Sequence, residues 1–364
     1  MGKRKSLSVK SVLFSLLIVC FLFSGAILPA EAAQYNWKMA MPWPVPAQDA
    51  FHKQFVELVK EYSGGKIEIT YYPDGQLGTH DEIFHSVQDG SVEIGYFAPY
   101  VNLVPGGVLN WMPWTVMSWQ AAQMAFDRDD GILWKVMEKA YNEVGMSMFY
   151  QVSYGPYGLG NNVRPLKSPE DLKNLKLRVS ASLGLVRMLQ NMGAGSGMTL
   201  ETIPWGDLYD ALGKGVVDGC WSMWPSLIEL RHSEVLTYYS DLNFAWDMNN
   251  VVINKDIWDS LPKDLQDAVV KASEETQKAL FVNSEKLEKE FIKKLQAMES
   301  FNITFLTDEE REGFRKASNM GAIWDELCKP WLDQNYPGQN MTEKVQAELE
   351  KIHRKVLADK AVSK

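Results

Sequence analysis

Five histidines, His52, His80, His85, His232 and His353, are the first residues to test for chemistry, because imidazole serves both as general base and as the commonest metal ligand. None stands in an H-E-x-x-H motif or at another zinc spacing beside a second ligand, so no metal enzyme is indicated. Gly193-Ala194-Gly195-Ser196-Gly197 is glycine-rich, but its offsets fit neither a nucleophile elbow nor a dinucleotide fingerprint, and it reads as a turn. Nothing resembles a P-loop, and Asn302-Ile303-Thr304 is a glycosylation tripeptide of the kind that arises by chance. Cys220 and Cys328 are too few to frame a chain of this length with disulfides; two separately buried thiols is the favoured reading, although spacing does not decide whether they pair. The reactive residue types are present without the spacings that catalysis or a cofactor would need. Binding is the chemistry left to look for.

The elements that would position a binding site belong to a chain long and apolar enough for one core or two: 364 residues, 46% hydrophobic and 23% charged. The net charge is −9, and no basic tract accompanies the 13 tryptophans, which argues against a nucleic-acid partner. The apolar run from Val12 to Leu28 follows Lys3, Arg4, Lys5 and Lys10 and precedes Ala30-Glu31-Ala32. A basic segment, an apolar segment and small residues at the recognition positions make an export signal over residues 1–32. Ser24, Gly25 and Pro29 interrupt the run, which disfavours a retained membrane anchor. Cleavage after Ala32 would leave 33 basic against 45 acidic residues, a net −12.

Beyond the signal, Phe51, Phe55, Val56, Leu58 and Val59 recur at helical spacing between Ala47 and Tyr62, and Gly64-Gly65 follow as a stop. Lys66 to Tyr72 alternates like a strand and ends at Pro73-Asp74-Gly75; Thr79 and Glu82 have capping-box spacing for a helix that stops near Gly90; Val92 to Tyr96 is a second short strand. A similar order returns later: a short helix opened by Ser168-Pro169, a strand from Leu175 to Val179, a helix from Leu183 to Met192 and a strand near Met198 to Ile203. A helix from Trp205 to Lys214 and a strand at Val216-Val217-Asp218 complete it. The echo predicts two α/β units with ligands at the carboxyl ends of their strands. From Lys263 to Ser300 there is no glycine or proline, so either one helix bridges both units or two meet near Asn283-Ser284. Further helices are expected from Asp308 to Lys360, broken at Tyr336-Pro337-Gly338.

An exported, catalytically silent, two-unit α/β chain describes a clamp that closes on a solute. The chain also resembles the solute-binding subunits of TRAP transporters, of the dicarboxylate-binding-protein type, from about Trp37 to Trp331. The resemblance rests on Glu61-Tyr62-Ser63-Gly64-Gly65-Lys66-Ile67 with Tyr72-Pro73-Asp74-Gly75-Gln76-Leu77-Gly78, on Ser168 through Val179, on Leu208-Tyr209-Asp210-Ala211-Leu212 with Gly215-Val216-Val217-Asp218-Gly219, and on Val252-Ile253-Asn254-Lys255 with Trp258, Leu261 and Pro262. It implies an α/β two-domain periplasmic binding-protein clamp with mixed sheets and a long helix spanning both domains. The first domain is expected over residues 33–157 plus about 245–283, the second over 158–244 plus about 284–364. It further implies a periplasmic receptor that passes an organic acid, unchanged, to integral-membrane permease subunits. A receptor that presents its ligand to a sensor, and an exported hydrolase or lyase acting on such acids, are the competing readings.

By the same resemblance Arg178 takes the place of the arginine that holds the ligand carboxylate. Guanidinium is suited to that role, being permanently charged and forked to match both oxygens. After Asp218-Gly219 the chain departs from its relatives: Ser222 stands where an asparagine is common, Trp221 and Trp224 add rigid walls, and the glutamate that accompanies a bound cation in one branch is missing. No metal is therefore expected. Trp43, Tyr100, Tyr157, Trp246 and Asn250 are assigned to cleft loops or to the domain crossings. So many flat side chains predict a monocarboxylate ligand, aromatic or 2-oxo-substituted, in preference to a small dicarboxylate.

Overall fold

The computed structural model describes residues 33–362; the export signal expected over residues 1–32 lies outside them. Ten strands are present among the described residues: β1 (Tyr35–Ala40), β2 (Ile67–Tyr72), β3 (Ile94–Phe97), β4 (Met146–Asn161), β5 (Lys176–Val179), β6 (Thr199–Thr202), β7 (Gly219–Met223), β8 (Tyr238–Asp241), β9 (Trp246–Asn254) and β10 (Asn302–Phe305). Their order is β2-β1-β3-β9-β4-β7-β5-β6, with β8 joining β4 to β10. β1 runs parallel to β2 and β3 in the first lobe, and β5 runs parallel to β6 and β7 in the second. β9 is antiparallel to β3 and β4, so the fold is α/β with mixed sheets.

Local signals act where they were read. Pro46 opens a helix through Tyr62 that buries Phe55 and Val59, and Gly64 and Gly65 follow it at φ +64° and +80°, a region that costs a glycine nothing. Thr79 caps the helix His80–Gln88, with the Glu82 carboxylate accepting from the Thr79 N–H at 2.8 Å. The two short strands expected after glycine stops begin further along the chain. Val92 precedes β3, and Val216-Val217-Asp218 form the turn into β7 instead of a strand. The Asp218 carboxylate explains the second shift: it accepts from the Lys176 N–H at 2.8 Å and ties the turn to β5. Trp205–Asp207 is a 3-10 turn leading into the helix Leu208–Gly213.

Two strands carry the chain between lobes. β4 pairs with β9 from Met146 to Pro156, then with β7 and β8 from Tyr157 to Asn161, all 16 of its residues buried. Bulges at Met148/Tyr150 and Ser153/Gly155 bend it at the crossing. Gly155 has φ +89°, and a Cβ there would stand 2.7 Å from Glu288 Oε2, so this position demands glycine twice over. The segment around Tyr157 lies at the lobe crossing, within a strand and not in a loop.

Lys263–Gln296 is one unbroken helix of 34 residues, about 51 Å at 1.5 Å per residue. It packs on Pro46–Tyr62 in the first lobe, on β4, and on Trp224–Glu229 and β10 in the second. The kink near Asn283-Ser284 is absent because apolar positions from Leu265 to Leu295 remain buried along its length. The C-terminal helices Lys329–Asn335 and Met341–Val362 lie against first-lobe elements, with Trp331 Nε1 donating to Glu143 at 3.0 Å, and not against the second lobe where residues 284–364 were expected. Cys220 and Cys328 are both free and buried. No helix among the described residues is long and apolar enough to cross a membrane.

Candidate functional site

A cavity lies between the lobes and is lined by side chains from both. Trp43, Tyr100 and Trp111 face it from the first lobe; Arg178, Ser180, Trp205 and Trp221 face it from the second; Tyr154, Tyr157, Asp247 and Asn249 come from the crossing strands. The second-lobe set follows from strand geometry. β5 ends at Val179, so Arg178 and Ser180, two apart, emerge on the same side at the strand's carboxyl end.

Arg178 is 1% exposed. Its Nε donates to the Ile203 carbonyl at 2.7 Å, its guanidinium lies 5.3 Å from the centre of the Trp205 ring, and its two terminal nitrogens are buried without a hydrogen-bond partner. No carboxylate among the described residues forms an ion pair with it. Burial disfavours its charge and lowers its pKa, but guanidinium remains ionised in proteins, so this is a desolvated cation lacking a counter-charge. His232 adds none: burial first, and Arg178 second, push it down to about 4 and keep it neutral.

Tyr157 stacks on Phe244 and meets Trp221 edge-on at 6.4 Å, while Trp43 stacks on His80 at 5.4 Å. These contacts hold flat faces in fixed orientations beside Arg178. Across the cleft Tyr100 lies near Ser180, and Glu229 near the Ala47 N–H in the first turn of Pro46–Tyr62. The helix Trp224–Glu229 packs on Pro46–Tyr62, so elements of the two lobes meet beside the cavity.

Four residues assigned to the site from sequence lie outside the cavity lining. Ser222 is fully buried, with its hydroxyl 3.3 Å from His232 Nδ1, because it alternates with Trp221 and Met223 on β7. Trp224 opens the next helix and packs on Tyr239, with ring centres 4.6 Å apart. Trp246 and Asn250 have the opposite parity from Asp247 and Asn249 on β9. Trp246 packs edge-on against Trp119 at 4.9 Å, and the Asn250 side-chain oxygen accepts from Gln151 at 2.8 Å. Sequence reasoning passed over Trp111, Tyr154, Trp205, Asp247, Asn249 and Glu229; Ser180 could have been found from its two-residue distance to Arg178.

The family model for bacterial extracellular solute-binding proteins, family 7, matches residues 44–329. The C4-dicarboxylate-binding periplasmic protein of Rhodobacter capsulatus is 26% identical over 304 residues, covering 81% of this chain and 82% of that protein. A monocarboxylate 2-oxoacid-binding periplasmic protein of Nostoc is 24% identical, covering 77% of each. The structure of the periplasmic ectoine-binding protein of a Halomonas elongata TRAP transporter superposes with a TM-score of 0.76 at 21% identity, covering 87% of this chain and 99% of that one. With the clamp, its crossing strands and the matched sequence in place, this chain belongs to family 7 of the bacterial extracellular solute-binding proteins, the solute-binding subunits of TRAP transporters.

Proposed function

We propose that the chain captures a small organic acid in the periplasm, by seating its carboxylate on Arg178, and hands it unchanged to membrane permease subunits. The observation that carries this reading is the pair of buried, unpartnered guanidinium nitrogens at the cavity wall. A buried polar group without a partner costs about 1–3 kcal/mol, and more when charged, so a bidentate anion there would recover what the apoprotein forgoes. The net negative charge of the chain is no obstacle, because that field is screened beyond roughly 8 Å whereas the pair forms at contact. Ligand contacts to both walls would favour the closed clamp, and that differential affinity is what a permease can read.

Trp43, Tyr100, Tyr157 and Trp221 would enclose the body of the acid, in keeping with an aromatic or 2-oxo monocarboxylate. The named relatives bind C4-dicarboxylates, 2-oxo monocarboxylates and ectoine, and a carboxylate is common to these ligands. The test is a thermal-shift screen over organic acids followed by recovery of the best hit. A ligand at 100 times its dissociation constant should raise stability by about 2.7 kcal/mol and be recovered intact. A screen in which no carboxylate stabilises the protein, or recovery of a converted product, would reject the reading.

A further inference from the structure

The cavity has a second electrostatic pole. Asp247, on β9, lines it at 1% exposure, across the aromatic walls from nothing cationic of its own. Its carboxylate takes two neutral side-chain donors: the Tyr157 hydroxyl on Oδ1 and the Asn249 amide on Oδ2 at 3.1 Å. A carboxylate offers roughly four acceptor positions, so acceptor capacity remains. No Lys, Arg or His among the described residues forms an ion pair with it, and burial, outweighing these donors, raises its pKa to about 7. Arg178 does not neutralise it: neither group is among the charges that shift the other, and the guanidinium nitrogens remain unpartnered.

Buried carboxylates in proteins are paired, metal-bound or protonated. No group of three His, Cys, Asp or Glu side chains that could hold a metal ion occurs among the described residues, so a metal has no ready set of protein ligands. A ligand that filled only the Arg178 end would leave this acid unmatched. We propose that Asp247 receives a protonated nitrogen of the ligand, so that the solute is a zwitterion whose carboxylate sits on Arg178 and whose N⁺–H group points at β9. This rests on the carboxylate role of Arg178 and narrows it to a class: amino acids, betaine-like ring compounds with an N–H, or amidinium carboxylates. Tyr157 and Asn249 position the acid, and the rings of Trp43, Tyr100 and Trp221 line the same cavity.

The experiment uses matched acids that differ by the charged nitrogen alone: proline against cyclopentanecarboxylate, phenylalanine against 3-phenylpropanoate, and 4-(aminomethyl)benzoate against 4-methylbenzoate, together with ectoine. Each is titrated into wild type and Asp247→Asn, an isostere that keeps the Tyr157 and Asn249 neighbours but removes the charge. In wild type the best binder carries the nitrogen and exceeds its uncharged counterpart by about tenfold or more, the range of a charge-assisted hydrogen bond. In Asp247→Asn that margin falls below about threefold. If the best wild-type binder has no cationic nitrogen, or if the substitution weakens both members of a pair equally, Asp247 is a positioning residue for Tyr157 and the zwitterion is rejected while the Arg178 reading stands. If no acid of either kind binds wild type, both fall together. Should Asp247→Asn not fold, the ranking within pairs on wild type still decides.

Discussion

Arg178 and Arg311 both belong to the second lobe and both lose most of their solvent on folding, but only one has its charge answered within the chain. Arg311, on the helix Asp308–Ala317, places Nη2 at 3.2 Å from the carboxylate of Asp241 and 3.2 Å from its carbonyl, with Asp308 at 3.6 Å from Nη1. Arg178 has one carbonyl, the face of an indole, and two idle nitrogens. An arginine that meets its own acid ties two elements together, here β8 and the helix after β10. An arginine buried without one is held at a cost by the surrounding fold, a cost that an anion from outside would offset on the proposed reading.

The largest effect should separate these two roles. Arg178→Ala removes the fork and should weaken the best acid of the screen by more than about 100-fold, within the 2–5 kcal/mol typical of truncating a desolvated charge pair. The ligand-free protein should melt no lower, because the change also removes an unmatched buried cation. Arg311→Ala should do the reverse. It strands Asp241, whose side chain is 17% exposed, and should cost about 1–3 kcal/mol of stability while binding stays within about threefold of wild type. Calorimetric titration and denaturant unfolding of both variants check the pair. Near-normal affinity in Arg178→Ala, or lost affinity in a folded Arg311→Ala, would erase the distinction.

How much of this was legible in the sequence depends on how each residue is fixed. Arg178 sits inside a motif whose neighbours, from Ser168 to Val179, specify a cap, a turn and a strand with little help from the rest of the chain. The clamp, its long helix and the first lobe's helix-strand order were readable for the same reason. β4 was not, because its 16 buried residues include Gly155 and Pro156, which locally signal a break; tertiary pairing on both sides overrides that signal. Site assignments on β7 and β9 turned on parity. With a side-chain period of two, choosing Trp246 and Asn250 instead of Asp247 and Asn249 turns every choice to the wrong face, and only the register of β9 against β4 decides it. Trp221 lines the cavity and Ser222 does not, by the same rule.

The comparison extends from cations to acids, where the expected effect is smallest. Asp241 is answered by Arg311, whereas Glu288 on the long helix has, among the described residues, the Trp119 indole N–H alone as hydrogen-bond donor, at 3.0 Å, beneath Gly155 at the crossing. Burial, helped by Asp241 and Glu285 and opposed by Trp119 and Lys289, raises Glu288 to about 7. A carboxyl raised in the folded state holds a proton that the unfolded chain has already released. Its contribution to stability is therefore lost as pH climbs from its unfolded value, near 4.5, through about 7. His52 and His232, held neutral by burial at about 3 and about 4, contribute with the opposite sign below about pH 6.5, so the raw profile of the protein is a sum. Subtracting the profile of Glu288→Gln cancels them. The variant keeps the hydrogen-bond acceptor and carries no charge, so its stability relative to wild type should improve by about 1–2 kcal/mol between pH 5 and pH 8. Denaturant unfolding at the two pH values measures this. A difference that stays flat would mean that Glu288 is as well matched at the crossing as Asp241 is beside Arg311, and the line drawn between answered and unanswered charges would then hold only for the arginines.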